Sequence, residues 1–238
     1  MLTSSPRILG SPQLDGSAFP TFASSKTVPT ASCDDYQILG FRATGEPQSG
    51  SSGYANLIKI VKATIPGGFS MEVDFSSIPE YVATPIQGAH TAINYLTSQS
   101  LKCPNQKYVL VGYSKGAMVV TELMSVHPIN PDKLAAVVLF GNPAHAAGAP
   151  QNRCSGTGGY GLSYPYTASV PSEYVPLIYD CCIEGDMVCQ TMGSMLPHLW
   201  YGGSRDEKRA AAFVISQLRS RLDKGPPGID ELFQLSSI

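Results

Sequence analysis

The amino-acid sequence predicts an α/β fold built from a central parallel sheet of about five strands with helices on both of its faces. Short apolar segments alternate along the chain with longer segments whose apolar residues recur at helical spacing. Strands that alternate with helices form parallel sheets, because each connection has to cross the sheet. The chain has 238 residues, which is enough for one domain with a sizeable core. Right-handed connections are expected, which gives three layers.

The predicted elements follow one another in a regular order. Strands are expected at 36–41, 69–75, 107–111, 134–140 and 173–179. Helices are expected at 53–64, 84–98, 117–124 and 205–222. The segment 142–170 is rich in Gly, Ser and Tyr, and we expect an irregular loop there. No segment is long enough for a separate helical lid, so the fold is expected to have no lid domain.

The two ends of the chain differ in composition from the middle. Residues 1–32 are rich in Ser, Thr, Pro and Ala and lack the charged start and apolar core of a secretory signal. We therefore expect a flexible N-terminal arm or the remnant of a leader over 1–32. The folded domain is expected over 33–224, and residues 225–238 are expected to form a C-terminal tail.

Composition and charge narrow the possible partners. The formal net charge is -2, the isoelectric point is near 6.1 and no basic run occurs, which argues against nucleic acid as a partner. No apolar stretch reaches the length that crosses a membrane, so stable membrane insertion is not expected. Six cysteines suggest an oxidised, secreted, extracellular protein. We expect a monomer that needs no metal and no organic cofactor.

The sequence Gly112-Tyr113-Ser114-Lys115-Gly116 lies between a predicted strand and a predicted helix. A Gly-x-Ser-x-Gly pattern in this context is typical of the nucleophile elbow of serine hydrolases. The turn is so tight that a side chain two residues before or after the serine would collide with a neighbouring element. The pattern therefore favours an α/β-hydrolase-type fold with Ser114 as the nucleophile. A serine that only caps the helix is the simpler alternative.

A serine hydroxyl needs a histidine as its base and a carboxylate that orients the histidine. In α/β-hydrolases the acid and then the base follow the serine along the chain. His198 lies on a loop before the last predicted helix, where such folds present the base. His145, on a loop at the end of a strand, is its competitor. His90 and His127 fall within helical patterns, where a solvated or helix-packed side chain is expected.

Asp186 is the candidate for the acid. It follows the predicted strand 173–179 and lies between two cysteines, which could clamp its loop. Asp180 and Glu184 are the alternatives. The simpler interpretation of Asp186 is a turn residue after Gly185.

Several of these stretches together resemble the fungal cutinase and acetylxylan esterase family of serine esterases. The matching sequences are Phe-Arg-Ala-Thr-Gly-Glu at 41–46, Cys-Pro at 103–104, Gly-Tyr-Ser-Lys-Gly-Ala at 112–117, Cys-x-x-Gly-Asp-x-Val-Cys at 182–189 and Pro-His-Leu at 197–199. They occur in the family's order, and the resemblance spans about residues 33–222. It implies that Ser114 is the nucleophile, Asp186 the acid and His198 the base.

The resemblance also implies that the backbone N–H groups of Thr44 and Lys115 form the oxyanion hole. The family usually has glutamine where this chain has Lys115. An amide donor does not depend on its side chain, so the role of Lys115 is expected to persist. The lysine side chain could change the local field or could extend into solvent, and the sequence leaves both open. For Thr44 the simpler alternative is a turn residue.

Cysteine spacing alone permits fifteen pairings of six cysteines. The resemblance implies two disulfides, Cys33–Cys103 and Cys182–Cys189. Cys154 and Cys181 then remain as the third pair. The spacings do not give the two paired knuckles of a zinc site.

The substrate prediction depends on apolar residues near the predicted acid, the predicted base and the second helix. These residues are expected either to form a rim around the site or to fill the core: Tyr81, Val82, Met187, Val188, Met192, Met195 and Leu196. An apolar rim favours an ester substrate such as cutin polyester or a short- to medium-chain acyl ester. Acetylated xylan, the substrate of an acetylxylan esterase, is the alternative within the enzymes. A non-catalytic wall-surface or elicitor protein with the same fold is the alternative from another class.

Overall fold

A computed structural model describes residues 33–167 and 169–225. Five parallel strands form one sheet: β1 (Tyr36–Phe41), β2 (Gly68–Glu72), β3 (Lys107–Tyr113), β4 (Leu134–Phe140) and β5 (Ile178–Cys181). Their spatial order is β2-β1-β3-β4-β5. The predicted parallel α/β fold is therefore confirmed. The expected N-terminal arm at 1–32 and all of the expected tail beyond residue 225 lie outside the described residues.

Helices cover both faces of the sheet. Their bounds are α1 (Ala55–Thr64), α2 (Ala83–Lys102), α3 (Lys115–Val126), α4 (Met187–Gln190) and α5 (Arg205–Arg221). Apolar side chains of α1 and α5 share one core cluster with one face of the sheet, whereas those of α2 and α3 share a second cluster with the other face. Because parallel strands are covered on both faces, β1 and β4 are buried along their whole length.

A buried carboxylate connects the two helices of the first face. Ser204 caps α5 by accepting a hydrogen bond from the amide of Glu207. The carboxylate of Glu207 is fully buried and accepts hydrogen bonds from the amides of Leu57 (2.9 Å) and Gly203 (2.6 Å). Helix α1 has no side-chain cap of its own. Glu207 therefore satisfies a free amide at the start of α1 and also fixes the loop that enters α5.

The fifth strand differs from its prediction. Residues Ser172–Leu177 form a 3₁₀ helix, and β5 covers only the four residues that follow. Pro176 has no N–H group to donate to a neighbouring strand, so this segment cannot complete a ladder. The buried hydroxyl of Tyr174 donates to the carbonyl of Ile129 (2.6 Å) and accepts from its amide (3.0 Å). These bonds hold the 3₁₀ helix against the connection between α3 and β4, in which Ile129 lies.

Three disulfides are present with the predicted pairing: two are those that the resemblance implies, and the third joins the two remaining cysteines. They join Cys33 to Cys103, Cys154 to Cys181 and Cys182 to Cys189. The last of these closes the small loop that contains the candidate acid. No helix in the described part of the chain is both long and apolar enough to span a bilayer.

The sheet order determines where a site can form. The chain leaves β1 toward β2 on one side, whereas β3 lies on the other side of β1, so the order reverses between β1 and β3. In open α/β sheets, ligands bind beyond the carboxyl ends of the strands at such a reversal. The loop with Thr44 follows β1, and Ser114 follows β3. Both candidate residues therefore lie at the position that the topology favours.

Candidate active site

Ser114 lies in a strained turn between β3 and α3. Its φ and ψ are 53° and -118°, a conformation that non-glycine residues rarely adopt. A Cβ at Gly112 would lie 2.7 Å from the amide nitrogen of Ala117, and a Cβ at Gly116 would collide with the carbonyl of Phe41. Both glycines are thus required by close backbone approach. The serine itself is only partly buried, so its hydroxyl is accessible.

Three of the predicted residues form one chain of hydrogen bonds. His198 Nε2 lies 2.8 Å from Ser114 Oγ. On the other side of the ring, His198 Nδ1 lies 2.8 Å from Asp186 Oδ2 and 3.0 Å from Oδ1. Asp186 is fully buried and His198 is 4% exposed. The geometry allows the imidazole to take a proton from the hydroxyl while the carboxylate holds Nδ1–H.

The carboxylate of Asp186 is held by two further donors. It caps the short helix α4, because Oδ1 accepts from the amide of Val188 at 2.9 Å. Oδ2 accepts from the hydroxyl of Tyr201 at 2.7 Å. Burial, reinforced by the charge of Asp186, raises the pKa of Tyr201 well above its usual value, so this phenol stays protonated and donating. Tyr201 was not among the predicted site residues, and no motif in the sequence identifies it.

Two other residues position His198. The hydroxyl of Tyr113 donates to the carbonyl of His198 at 2.6 Å, and the two rings lie 5.2 Å apart. Burial raises the pKa of Tyr113, with smaller contributions from Glu46 and Asp186. Gly141 follows β4 with φ at 53°, and a Cβ there would lie 2.6 Å from His198 Cε1. Gly141 therefore lets the backbone form a wall against the imidazole, a role that the sequence did not reveal.

His145, the alternative candidate for the base, is paired with a different carboxylate. His145 is fully buried, and its Nδ1 lies 3.3 Å from Asp180 Oδ1. The other oxygen of Asp180 accepts from the side chain of Asn142 at 3.2 Å. His145 and Asp180 thus form a second, structural pair that does not include Ser114.

The remaining alternatives lie outside the hydrogen-bonded chain. Glu184 is exposed. His90 is exposed on α2, and His127, which follows the end of α3, is partly buried; their rings lie 4.9 Å apart.

The loop after β1 holds Thr44 near the elbow. Glu46 Oε2 accepts from the amide of Ala43 at 2.7 Å, and the amide of Gly45 donates to the carbonyl of Ser77 at 2.8 Å. Within the described residues, the amides of Thr44 and Lys115 donate to no protein acceptor. Both are therefore available to a ligand.

The side chain of Lys115 does not extend into solvent. It is fully buried, and Nζ donates to the carbonyls of Ser76 (2.8 Å) and Ile78 (2.7 Å). Nζ also lies 5.8 Å from the centre of the Tyr81 ring. Burial lowers the pKa of Lys115; the negative charge of Glu80 opposes this shift and the charge of Arg42 adds to it.

Most of the predicted rim is exposed, but one residue is not. Tyr81, Val82 and Leu196 are 49%, 72% and 56% exposed, and Met187 is partly buried. Val188 is only 7% exposed, so its assignment to the rim was wrong. Its amide donates to Asp186 and its carbonyl accepts from Leu162, which turns its side chain inward. Ile78, Leu199 and Trp200, which lie near these residues in sequence, are also exposed, although the prediction did not place them in the rim.

A parallel sheet of this order with a Gly-x-Ser-x-Gly turn after its central strand defines the α/β-hydrolase class. Within that class, the chain belongs to the cutinase family, because the cutinase family model matches residues 32–218. The protein is accordingly a carboxylic ester hydrolase, like the cutinases and carboxylesterases to which it is similar.

Individual relatives are distant but cover most of the chain. "Probable carboxylesterase Culp3" of Mycobacterium tuberculosis is 35% identical over 211 residues, which is 79% of this chain and 71% of the relative. A cutinase-like protein from Cryptococcus sp. superposes with a TM-score of 0.69 at 27% identity, covering 81% of this chain and 97% of the other. The catalytic core of acetyl xylan esterase from Trichoderma reesei gives 0.71 at 23% identity, covering 78% and 100%, and shows the shared fold.

Proposed function

We propose that the protein is a secreted, cutinase-like serine esterase that cleaves carboxylic esters through an acyl-enzyme. The observation that carries the proposal is the continuous path from Ser114 Oγ to His198 (2.8 Å) and from His198 to Asp186 (2.8 Å). The partly exposed serine and the two buried partners match what nucleophilic catalysis requires.

The first half of the reaction forms the acyl-enzyme. Ser114 Oγ attacks the ester carbonyl carbon while His198 Nε2 takes the hydroxyl proton. Asp186 keeps Nδ1 protonated and stabilises the imidazolium that results. The tetrahedral intermediate places its negative oxygen between the free amides of Thr44 and Lys115. The intermediate then collapses, the C–O bond to the alcohol breaks, and His198 gives its proton to the departing alcohol.

The second half repeats these steps with water. His198 removes a proton from the water as the water attacks the acyl carbon. Collapse of this second intermediate breaks the bond to Ser114 Oγ, which regains its proton from His198. The carboxylic acid is released. Every proton in the cycle passes through His198 Nε2, so the Tyr113 bond that fixes this residue supports both halves.

The exposed apolar residues support the substrate class. Tyr81 and Val82 lie on the loop before α2, and Met192, Met195 and Leu196 lie on the segment that leads to His198. Such a surface would bury the acyl chain of a cutin-like polyester or of a short- to medium-chain ester. The three disulfides favour an oxidising, extracellular location. We propose that the protein acts as a monomer.

The test measures kcat and KM on p-nitrophenyl acetate, butyrate and palmitate, below their solubility limits. Butyrate adds two methylenes to acetate, and each buried methylene contributes up to ~0.8 kcal/mol, so kcat/KM should rise by up to about fifteenfold. Ser114→Ala should abolish the activity. Strict preference for acetate together with release of acetate from xylan would favour an acetylxylan esterase. No hydrolysis by the wild type would leave a non-catalytic protein.

A further inference from the structure

A buried ammonium lies behind the elbow, where the family usually has glutamine. Lys115 Nζ donates to the carbonyls of Ser76 and Ile78, at 2.8 and 2.7 Å. Those two carbonyls flank Ser77. A lysine side chain is rarely fully buried, and burial without acceptors is costly. The two carbonyl bonds are therefore the reason that this conformation is tolerated.

Ser77 in turn holds the loop after β1. Its carbonyl accepts from the amide of Gly45 at 2.8 Å, and its hydroxyl donates to the carbonyl of Glu46 at 3.1 Å. Gly45 and Glu46 directly follow Thr44. The path from Lys115 Nζ to the Thr44 backbone therefore runs through Ser77 and its two flanking carbonyls.

A second contact joins the same groups through a side chain. The hydroxyl of Thr44 donates to the Tyr81 hydroxyl at 3.2 Å, and the Tyr81 ring lies 5.8 Å from Lys115 Nζ. The end of segment 76–82 that leads into α2 is fixed by Glu80, whose carboxylate accepts from the amides of Val82 (2.8 Å) and Thr84 (2.7 Å). The segment 76–82 is therefore held at both ends, by Lys115 on the elbow and by the start of α2.

We propose that the Lys115 ammonium is a positioning residue that fixes the distance between the two oxyanion donors. Lys115 supplies one donor through its own amide. Through segment 76–82 its side chain sets the position of the other donor, the Thr44 amide. This inference rests on the proposed esterase function. The oxyanion develops only as the tetrahedral intermediate forms and is absent from the bound substrate, so loosening one donor should lower kcat and leave KM almost unchanged.

The test compares Lys115→Met with wild type on p-nitrophenyl butyrate. Methionine keeps the amide and an unbranched stem but removes both donors to segment 76–82. Complete loss of one oxyanion donor costs roughly 10²–10³-fold in kcat, so a displaced donor should cost about tenfold. KM should stay within about twofold. The affinity for a trifluoromethyl ketone, which forms a tetrahedral adduct with the serine, should fall by the same factor as kcat/KM.

Two further variants keep the test decisive. Ser77→Ala removes only the hydroxyl bond to Glu46 and should lower kcat by a few-fold even if Lys115→Met does not fold. Lys59→Met changes an exposed lysine of α1 in the same way and should leave kcat and KM as in wild type.

The outcomes separate the two proposals. An inactive wild type would overturn the esterase proposal and this inference with it. If the wild type is active, an unchanged kcat in folded Lys115→Met would overturn this inference alone. If Lys115→Met does not fold, an unchanged kcat in Ser77→Ala would overturn it instead. A rise in KM with constant kcat would also overturn it, because segment 76–82 would then only contact substrate.

Discussion

Replacing Gly141 by alanine should disable the site by displacing the imidazole ring of His198. Gly141 follows β4 with φ at 53°, and its backbone lies against His198. An added Cβ would lie 2.6 Å from Cε1 and 2.8 Å from Nδ1 of the imidazole, and 3.1 Å from Asp186 Oδ2. These atoms belong to the proposed base, His198, and to the carboxylate that orients it.

The size of the expected loss in kcat/KM follows from those distances. Ordinary van der Waals contact begins near 3.4 Å, so relief of the 2.6 Å contact requires a displacement of about 0.8 Å. A misplacement of ~1 Å in a catalytic group costs about 10²-fold in rate. Alanine at positive φ adds a backbone cost of roughly 1–2 kcal/mol in the free energy of unfolding. The predicted result is a kcat/KM lower by about 10²-fold with moderate destabilisation.

The assay is hydrolysis of p-nitrophenyl butyrate, with thermal unfolding measured on the same samples. Gly148→Ala is the matched control, because Gly148 also has positive φ, at 72°, and a Cβ there would meet no atom within 4 Å. It should share the backbone cost and keep its activity. Equal activity of the two variants would refute the argument that Gly141 is needed for the His198 position.

Three further predictions concern the carboxylates and their supports. Tyr201→Phe removes the 2.7 Å bond to buried Asp186 and should lower the free energy of unfolding by about 1.5–3 kcal/mol; an unchanged urea midpoint would contradict this. The double substitution Cys182→Ser and Cys189→Ser should lower the free energy of unfolding in urea by about 2–3 kcal/mol. It should also reduce kcat, because the Asp186 loop is released; full activity of this variant would refute the second effect. Backbone amides, that of Thr84 first, lower the pKa of Glu80 to about 2. A lowered carboxyl pKa stabilises the fold above the unfolded value near 4.5, so the difference in Tm between wild type and Glu80→Gln should shrink as the pH falls toward 2 and should not persist there.

Much of the fold could be predicted because the elements have strong local signals. β1 and β4 have the predicted bounds: β4 is a continuous apolar run, β1 is apolar except for Gln37, and polar turns flank both. The fifth strand begins at Ile178 and not at residue 173 as predicted. The apolar residues of this segment favoured a strand, but Pro176 lacks the N–H group that strand pairing needs. α2 extends to Lys102, four residues beyond the prediction, because propensity alone defines helix ends poorly.

The site was predictable where spacing and motif carry the information. The sequence order suggested that Ser114, Asp186 and His198 meet, and the structure places them within hydrogen-bond distance. The Gly141 wall and the bond from Tyr113 to the His198 carbonyl could not be predicted, because they join segments far apart in sequence. The Lys115 side chain was equally hidden. Its direction depends on carbonyls of segment 76–82 that no motif identifies.

The central claim is that Ser114 is the nucleophile of an esterase. Its most direct test is reaction of the wild-type protein with an alkyl phosphonate ester that labels activated serines, followed by peptide mass mapping. The account predicts one adduct per chain on the peptide that contains Ser114, with loss of p-nitrophenyl butyrate hydrolysis in proportion to labelling. Ser114→Ala should take up no label. An active protein that is labelled on another residue, or that stays active after complete labelling of Ser114, would contradict the claim.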